Sequence, residues 1–139
     1  MKTGYLLKLL ALLAVLITAS VPRVPAQDAS SFRPAAERGD AAAQYQMGVA
    51  YKTGAGVAPD PLIARDWFEK AAGQGHVEAY YEIGMLYLRE EVSAAAVSDL
   101  SNKEMAFIWF AEASGVGLAD AQYQTGLAYL NGHGVDPNV

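Results

Sequence analysis

No cysteine occurs among the 139 residues. Its absence excludes a disulfide framework, a thiolate metal site, a cysteine nucleophile and a cysteine-linked lipid anchor. Histidine is nearly as scarce. His76 and His133 stand 57 positions apart, no HExxH or comparable ligand spacing is present, and a zinc site needs three or four convergent ligands. Basic residues are few as well, 10 Lys+Arg against 15 Asp+Glu for a net charge of -5. They are dispersed, which argues against a nucleic-acid partner, because phosphate binding draws on a basic face. There is no GxSxG elbow, no Walker loop and no dinucleotide fingerprint. The longest greasy stretch, Leu6 to Ile17, has twelve residues, short of the ~20 that a bilayer span requires.

That stretch has a different use. Lys2 and Lys8 precede the unbroken apolar run Leu9 to Ile17, and Thr18, Ala19 and Ser20 then turn the chain small and polar. A basic n-region, an apolar h-region and small residues before a cut define a secretory signal peptide. Cleavage is expected after Val24-Pro25-Ala26, leaving Gln27 as the mature N-terminus, with a cut after Ala19 as the alternative. Residues 1–26 hold three of the ten basic residues, Lys2, Lys8 and Arg23, and no acid. The mature chain would therefore carry seven basic and 15 acidic residues. An acidic protein of a bacterial periplasm or exterior is expected, without stable membrane insertion once the leader is removed. Residues 27–34 read as a flexible lead and the start of a capping segment.

The remainder, residues 35–139, repeats itself. Ala43-Gln44-Tyr45-Gln46-Met47-Gly48-Val49-Ala50-Tyr51 returns 36 residues later as Ala79 to Tyr87, and 42 residues after that as Ala121 to Tyr129. Ala64, Trp67, Phe68 and Ala71 return 42 residues on as Ala106, Trp109, Phe110 and Ala113. Self-similarity of this period denotes stacked helix pairs, a solenoid. Units of about 40–75, 76–117 and a partial 118–139 follow.

Within a unit, the first helix carries an apolar stripe such as Ala79, Ile83, Leu86 and Tyr87. The second starts at Asp60-Pro61, a cap followed by proline at the first helical position, or at Ser101-Asn102-Lys103-Glu104, a capping box. Helices are predicted near 41–53, 61–73, 77–90, 103–114 and 119–130. Gly48, Gly84 and Gly126 fall in the middle of the first helices, where glycine costs ~1 kcal/mol relative to alanine. Their recurrence in register points to a close approach by Trp67 or Phe68, Trp109 or Phe110, or the partner backbone. Tyr51, Tyr87 and Tyr129 are expected to pack in the core or between units, and Trp67 to be buried.

The run Ala43, Met47-Gly48, Tyr51, Gly54-Ala55-Gly56-Val57, Asp60, Ala64 and Trp67-Phe68-Glu69-Lys70-Ala71-Ala72 resembles the Sel1-like repeat, a tetratricopeptide-related helix-pair family. The resemblance covers about residues 35–139. It implies an all-α, short right-handed solenoid of antiparallel helix pairs, without a cofactor or catalytic centre, that presents its helical surfaces to a protein partner. Exported bacterial relatives are linked to envelope assembly, stress or host interaction. The second unit departs from the pattern, because Leu88-Arg89-Glu90-Glu91 replaces the Gly-x-Gly turn and Val92 to Leu100 adds six residues. Helix extension by a turn and a surface loop are expected there. Phe32, Ala35, Ala36 and Gly39 stand 36 before Phe68, Ala71, Ala72 and Gly75, the mark of a lone second-type helix capping the N-terminal side.

Two places are candidate partner contacts. One is the third first-type helix with Tyr123, Leu127 and Leu130, because the sequence reaches Val139 before a further second-type helix. The other is the insertion with Glu90, Glu91 and Val97. An adaptor that binds a protein partner, or that self-associates through the C-terminal helix, is the leading expectation. A structural or regulatory subunit that folds or acts only in an obligate homo- or hetero-oligomer is the alternative.

Overall fold

The computed structural model describes residues 28–96 and 98–132. The leader, Val97, His133 and the tail from Val135 to Val139 lie outside the described residues. Six α-helices follow one another: α1 (Ala29–Glu37), α2 (Ala41–Thr53), α3 (Pro61–Ala72), α4 (Val77–Leu88), α5 (Asn102–Gly115) and α6 (Ala119–Leu130), with a 3₁₀ turn at Ala94–Ala96 between α4 and α5. Each helix packs chiefly on its neighbours in the chain, the pattern of a repeat stack in which every layer touches only the next. α2 with α3 and α4 with α5 form antiparallel units. Among the described residues, α1 precedes them as a second-type helix without a first-type partner, and α6 follows as a first-type helix without a second-type partner.

Local chemistry sets the boundaries. The Asp60 carboxylate accepts from the amides of Leu62 and Ile63 at 2.9 and 3.1 Å ahead of Pro61, satisfying donors that the first helical turn leaves free. At α5 the box closes both ways: the Glu104 amide donates to Ser101 Oγ at 3.3 Å and the Ser101 amide to Glu104 Oε2 at 2.7 Å. α1 starts at Ala29, inside the stretch read as a lead. Asp28 caps it, and the Ala29 amide donates to the Ala55 carbonyl at 3.1 Å, so the segment is tied to the α2–α3 turn.

α4 stops at Leu88 and does not gain the extra turn. Glu90 takes a left-handed φ of 59°, and the Glu91 amide donates back to the Leu86 carbonyl at 3.0 Å. The first unit ends α2 in the same way, with Gly54 at φ 83° and the Ala55 amide on the Ala50 carbonyl at 3.0 Å. The reversal needs a left-handed residue at this register, and glutamate supplies it at a cost that glycine avoids.

Nor is the insertion a plain surface loop. Val92 and Ala94 are buried in the core. The Asn102 side chain clamps both, accepting from the Ala94 amide at 2.7 Å and donating to the Val92 carbonyl at 3.0 Å. The main core joins these residues to Ala64, Phe68, Ile83, Leu86, Tyr87 and Phe110. A second cluster, built on Met47, Ala36 and Ala50, lies between α1 and α2.

Phe68, with no exposed surface, is the buried aromatic of the first unit. Trp67 is half-buried, with Lys70 Nζ 4.1 Å from its ring centroid. The burial expected of Trp67 therefore belongs to its neighbour, one position around the helix. The tyrosines also divide. Tyr87 is fully buried, and Tyr51 is half-buried with its hydroxyl accepting from Arg33 Nη2 at 3.2 Å. Tyr129 is 59% exposed, edge-on to Phe107 at 5.2 Å, so core packing does not extend to it.

Candidate protein-docking face

Tyr123, Gly126, Leu127 and Leu130 fall at i, i+3, i+4 and i+7 on α6, one stripe of a helix. The same register holds Tyr45, Gly48, Val49 and Lys52 on α2, and Tyr81, Gly84, Met85 and Leu88 on α4. On those two helices the tyrosine and the glycine of the stripe meet the second helix of their own unit. A Cβ at Gly48 would lie 2.5 Å from the Phe68 ring, and one at Gly84 would lie 2.6 Å from Phe110. Tyr45 and Tyr81 pack tilted against the same rings, each at a centroid distance of 5.6 Å. Burial, then the Glu82 and Glu78 carboxylates, raises the Tyr45 phenol above the ordinary tyrosine range, as expected of a ring enclosed between two helices.

On α6 the stripe is open. Tyr123 is 66% exposed and Leu130 84%. Among the described residues a Cβ at Gly126 would meet nothing within 4 Å, so the close approach expected at all three glycines is seen at two. The opposite side of α6 sits on α5, with Ala121 fully buried there. Thr125, in the register of the fully buried Met47 and Ile83, buries a hydroxyl with no hydrogen-bond partner among the described residues.

Leu127 also borders a groove of about 240 Å³ between the end of α4, α5 and α6, lined by Leu88, Phe107 and Phe110 with Lys103 and Asn131 at its rim. The corresponding groove between α2 and α4 is polar. Lys52 Nζ meets Glu82 Oε2 there at 2.6 Å, where the next groove has Leu88 and Gln124. Glu91 lines that polar groove, and Glu90 is spent on the reversal after α4. The structure thus brings together Tyr123, Leu127 and Leu130, and sets Glu90 and Glu91 apart from them. Val97 lies outside the described residues. Sequence reasoning did not find the apolar groove, although the change from Lys52 and Arg65 to Leu88 and Phe107 in register was its visible sign. Among the described residues no group of His, Cys, Asp or Glu could hold a metal ion, and no helix is long and apolar enough to cross a membrane.

Fold and face define a helix-pair repeat scaffold that offers a helical surface. The Sel1 repeat family model matches residues 41–76, 77–115 and 119–139, and the chain belongs to that family. Such repeats are typical of protein–protein interaction modules. A Sel1 repeat protein from Oxalobacter formigenes is 30% identical, with a TM-score of 0.64 over 78% of this chain and 42% of its own. The structure of c5321, a protective antigen present in uropathogenic Escherichia coli strains and displaying an SLR fold, is 32% identical, with a TM-score of 0.67 over 79% of this chain and 22% of its own. The chain thus spans less than half the length of either. No curated protein matches it.

Proposed function

We propose that the protein is an exported, non-catalytic adaptor that binds a protein partner through the open stripe of α6. The reading rests on one observation: Tyr123 and Gly126 repeat the positions at which α2 and α4 receive a phenylalanine ring, yet Tyr123 and the neighbouring Leu130 are exposed and no described residue comes within 4 Å of a Cβ at Gly126. Exposed apolar surface of this kind marks association sites. The neighbouring groove lined by Leu88, Phe107 and Phe110 extends the surface. Export to the periplasm or exterior is supported by the n-, h- and cleavage-region pattern of residues 1–26. A relative described as a protective antigen fits such a location.

The test is capture from an envelope extract with the protein as it is exported, against a variant carrying Leu127→Glu and Leu130→Glu. Both positions face outward or border the groove, so the variant is expected to stay folded by circular dichroism and to lose the captured proteins. Capture unchanged by the two charges would overturn the α6 site. Intact mass spectrometry of the same exported material should give a chain lacking residues 1–26, and the full 14.8 kDa mass would remove the leader reading.

A further inference from the structure

The two ends of the described fold are complementary halves of one unit. α1 carries Phe32, Ala35 and Ala36 in the register of Phe68, Ala71 and Ala72, and it packs on α2 as α3 packs on α4 and α5 on α6. It is a second-type helix without a first-type helix before it among the described residues. Its register residues bear this out. Phe68 and Ala71 have no exposed surface, whereas Phe32 and Ala35 are only half-buried. The α6 stripe is the converse, a first-type helix on which, among the described residues, nothing meets a Cβ at Gly126 and no ring packs on Tyr123 as Phe68 and Phe110 pack on Tyr45 and Tyr81.

We infer that the occupant of the α6 face is α1 of a second copy of this chain, with Phe32 entering the Gly126 socket as Phe68 enters at Gly48 and Phe110 at Gly84. The inference rests on reading the α6 stripe as a docking face and names its partner. The contact continues an interface that the molecule already makes twice within itself, with phenylalanine and two alanines on one side and tyrosine and glycine on the other at the same register, while Asp28 and Ser31 stand in place of Ala64 and Trp67. It is heterologous, one surface against a different surface, so it leaves an α1 free at one end and an α6 free at the other. Copies add head to tail, and the stack of helices continues across the junction. A junction of one helix pair falls at the small end of the interface range, where encounters are weak and reversible. The association is therefore one that appears at high local concentration.

The absence of cysteine gives a clean test. A variant carrying Arg38→Cys and Gln122→Cys, exposed positions in the register of Gln74 and Gln44, which hydrogen-bond across the first unit at 2.6 Å, leaves Phe32 and Gly126 intact; produced from the full sequence and treated with a short bismaleimide cross-linker, it is expected to give a ladder of dimers, trimers and longer species. Each single-cysteine variant alone should stay monomeric, and the two mixed should stop at dimers. A ladder no stronger than that of a control carrying Glu37→Cys and Glu112→Cys would overturn the inference, as would dimers from one single-cysteine variant, because these denote a twofold pairing. If no ladder forms while Leu127→Glu with Leu130→Glu still abolishes capture of another protein, the face is a docking site whose occupant is not a second copy.

Discussion

Three glycines in one register have two different jobs. At Gly48 and Gly84 the missing Cβ makes room for a phenylalanine ring 2.5 and 2.6 Å from where it would stand. Alanine there forces two buried helices apart, and each substitution should destabilise by about 1–3 kcal/mol. At Gly126 the space is open, and alanine should instead stabilise the isolated chain by up to ~1 kcal/mol through helix propensity. Thermal melts of the three variants check the split, and a Gly126→Ala protein less stable than wild type would show that the socket is filled within a single chain. Adjacent aromatics divide in a similar way. Phe68→Ala should cost about 3–5 kcal/mol, since it empties a fully enclosed site. Trp67→Ala should cost less, because its half-buried ring packs only at the edge of the α1–α2 cluster, with Lys70 over its outer side. Urea titrations that rank the two the other way would contradict this division. The repeat made the pair Trp67-Phe68 conspicuous, but a 100° step around the helix separates the core from its rim, and only the packing partner decides which residue falls where.

At the scale of the helices, caps were legible because their chemistry is local. Asp60-Pro61 and the Ser101-Glu104 box act within one turn, and both stand as read. The end of α4 was not legible. Glu90 there adopts a left-handed backbone that the glycine of the first unit advertises and glutamate does not. The inserted segment was misread for a related reason, since its burial depends on Asn102, eight and ten residues distant from its partners, and not on its own composition. The capping box also carries a pH dependence. Hydrogen bonds from the Ser101 amide and hydroxyl hold Glu104 below the ordinary glutamate range. A folded pKa below the unfolded one gives stability that is present above the unfolded value, about 4.3, and lost as pH falls through the folded one. Wild type should thus be more stable than Glu104→Gln at neutral pH, with the gap closing in acid below about pH 4. Glu69, raised mainly by burial, acts with the opposite sign but cancels in this difference. A gap that is constant from pH 7 to pH 3 would refute the charged cap.

For the whole molecule, the repeat period carried the fold from sequence: five helices lie within a few residues of their expected bounds, and the pairing follows from spacing alone. What stayed hidden was the meaning of the half-units, because a solenoid layer is defined by its neighbour and not by itself. Phe32 and Gly126 were each visible as register matches at opposite ends. Their relation emerges once Phe68 is seen in the Gly48 socket, which turns two leftovers into a complementary pair. The adaptor reading depends on this phase, a stack that opens on a second-type helix and presents a first-type helix at the other side of the described chain. Hydrogen exchange across a hundredfold range of protein concentration tests it most directly, because amide protection reports each helix separately. The account predicts that α1 and α6 gain protection together as concentration rises while α2 to α5 stay unchanged; protection in α1 and α6 that is independent of concentration, or that rises first in the segment around Val92 to Leu100, would contradict it.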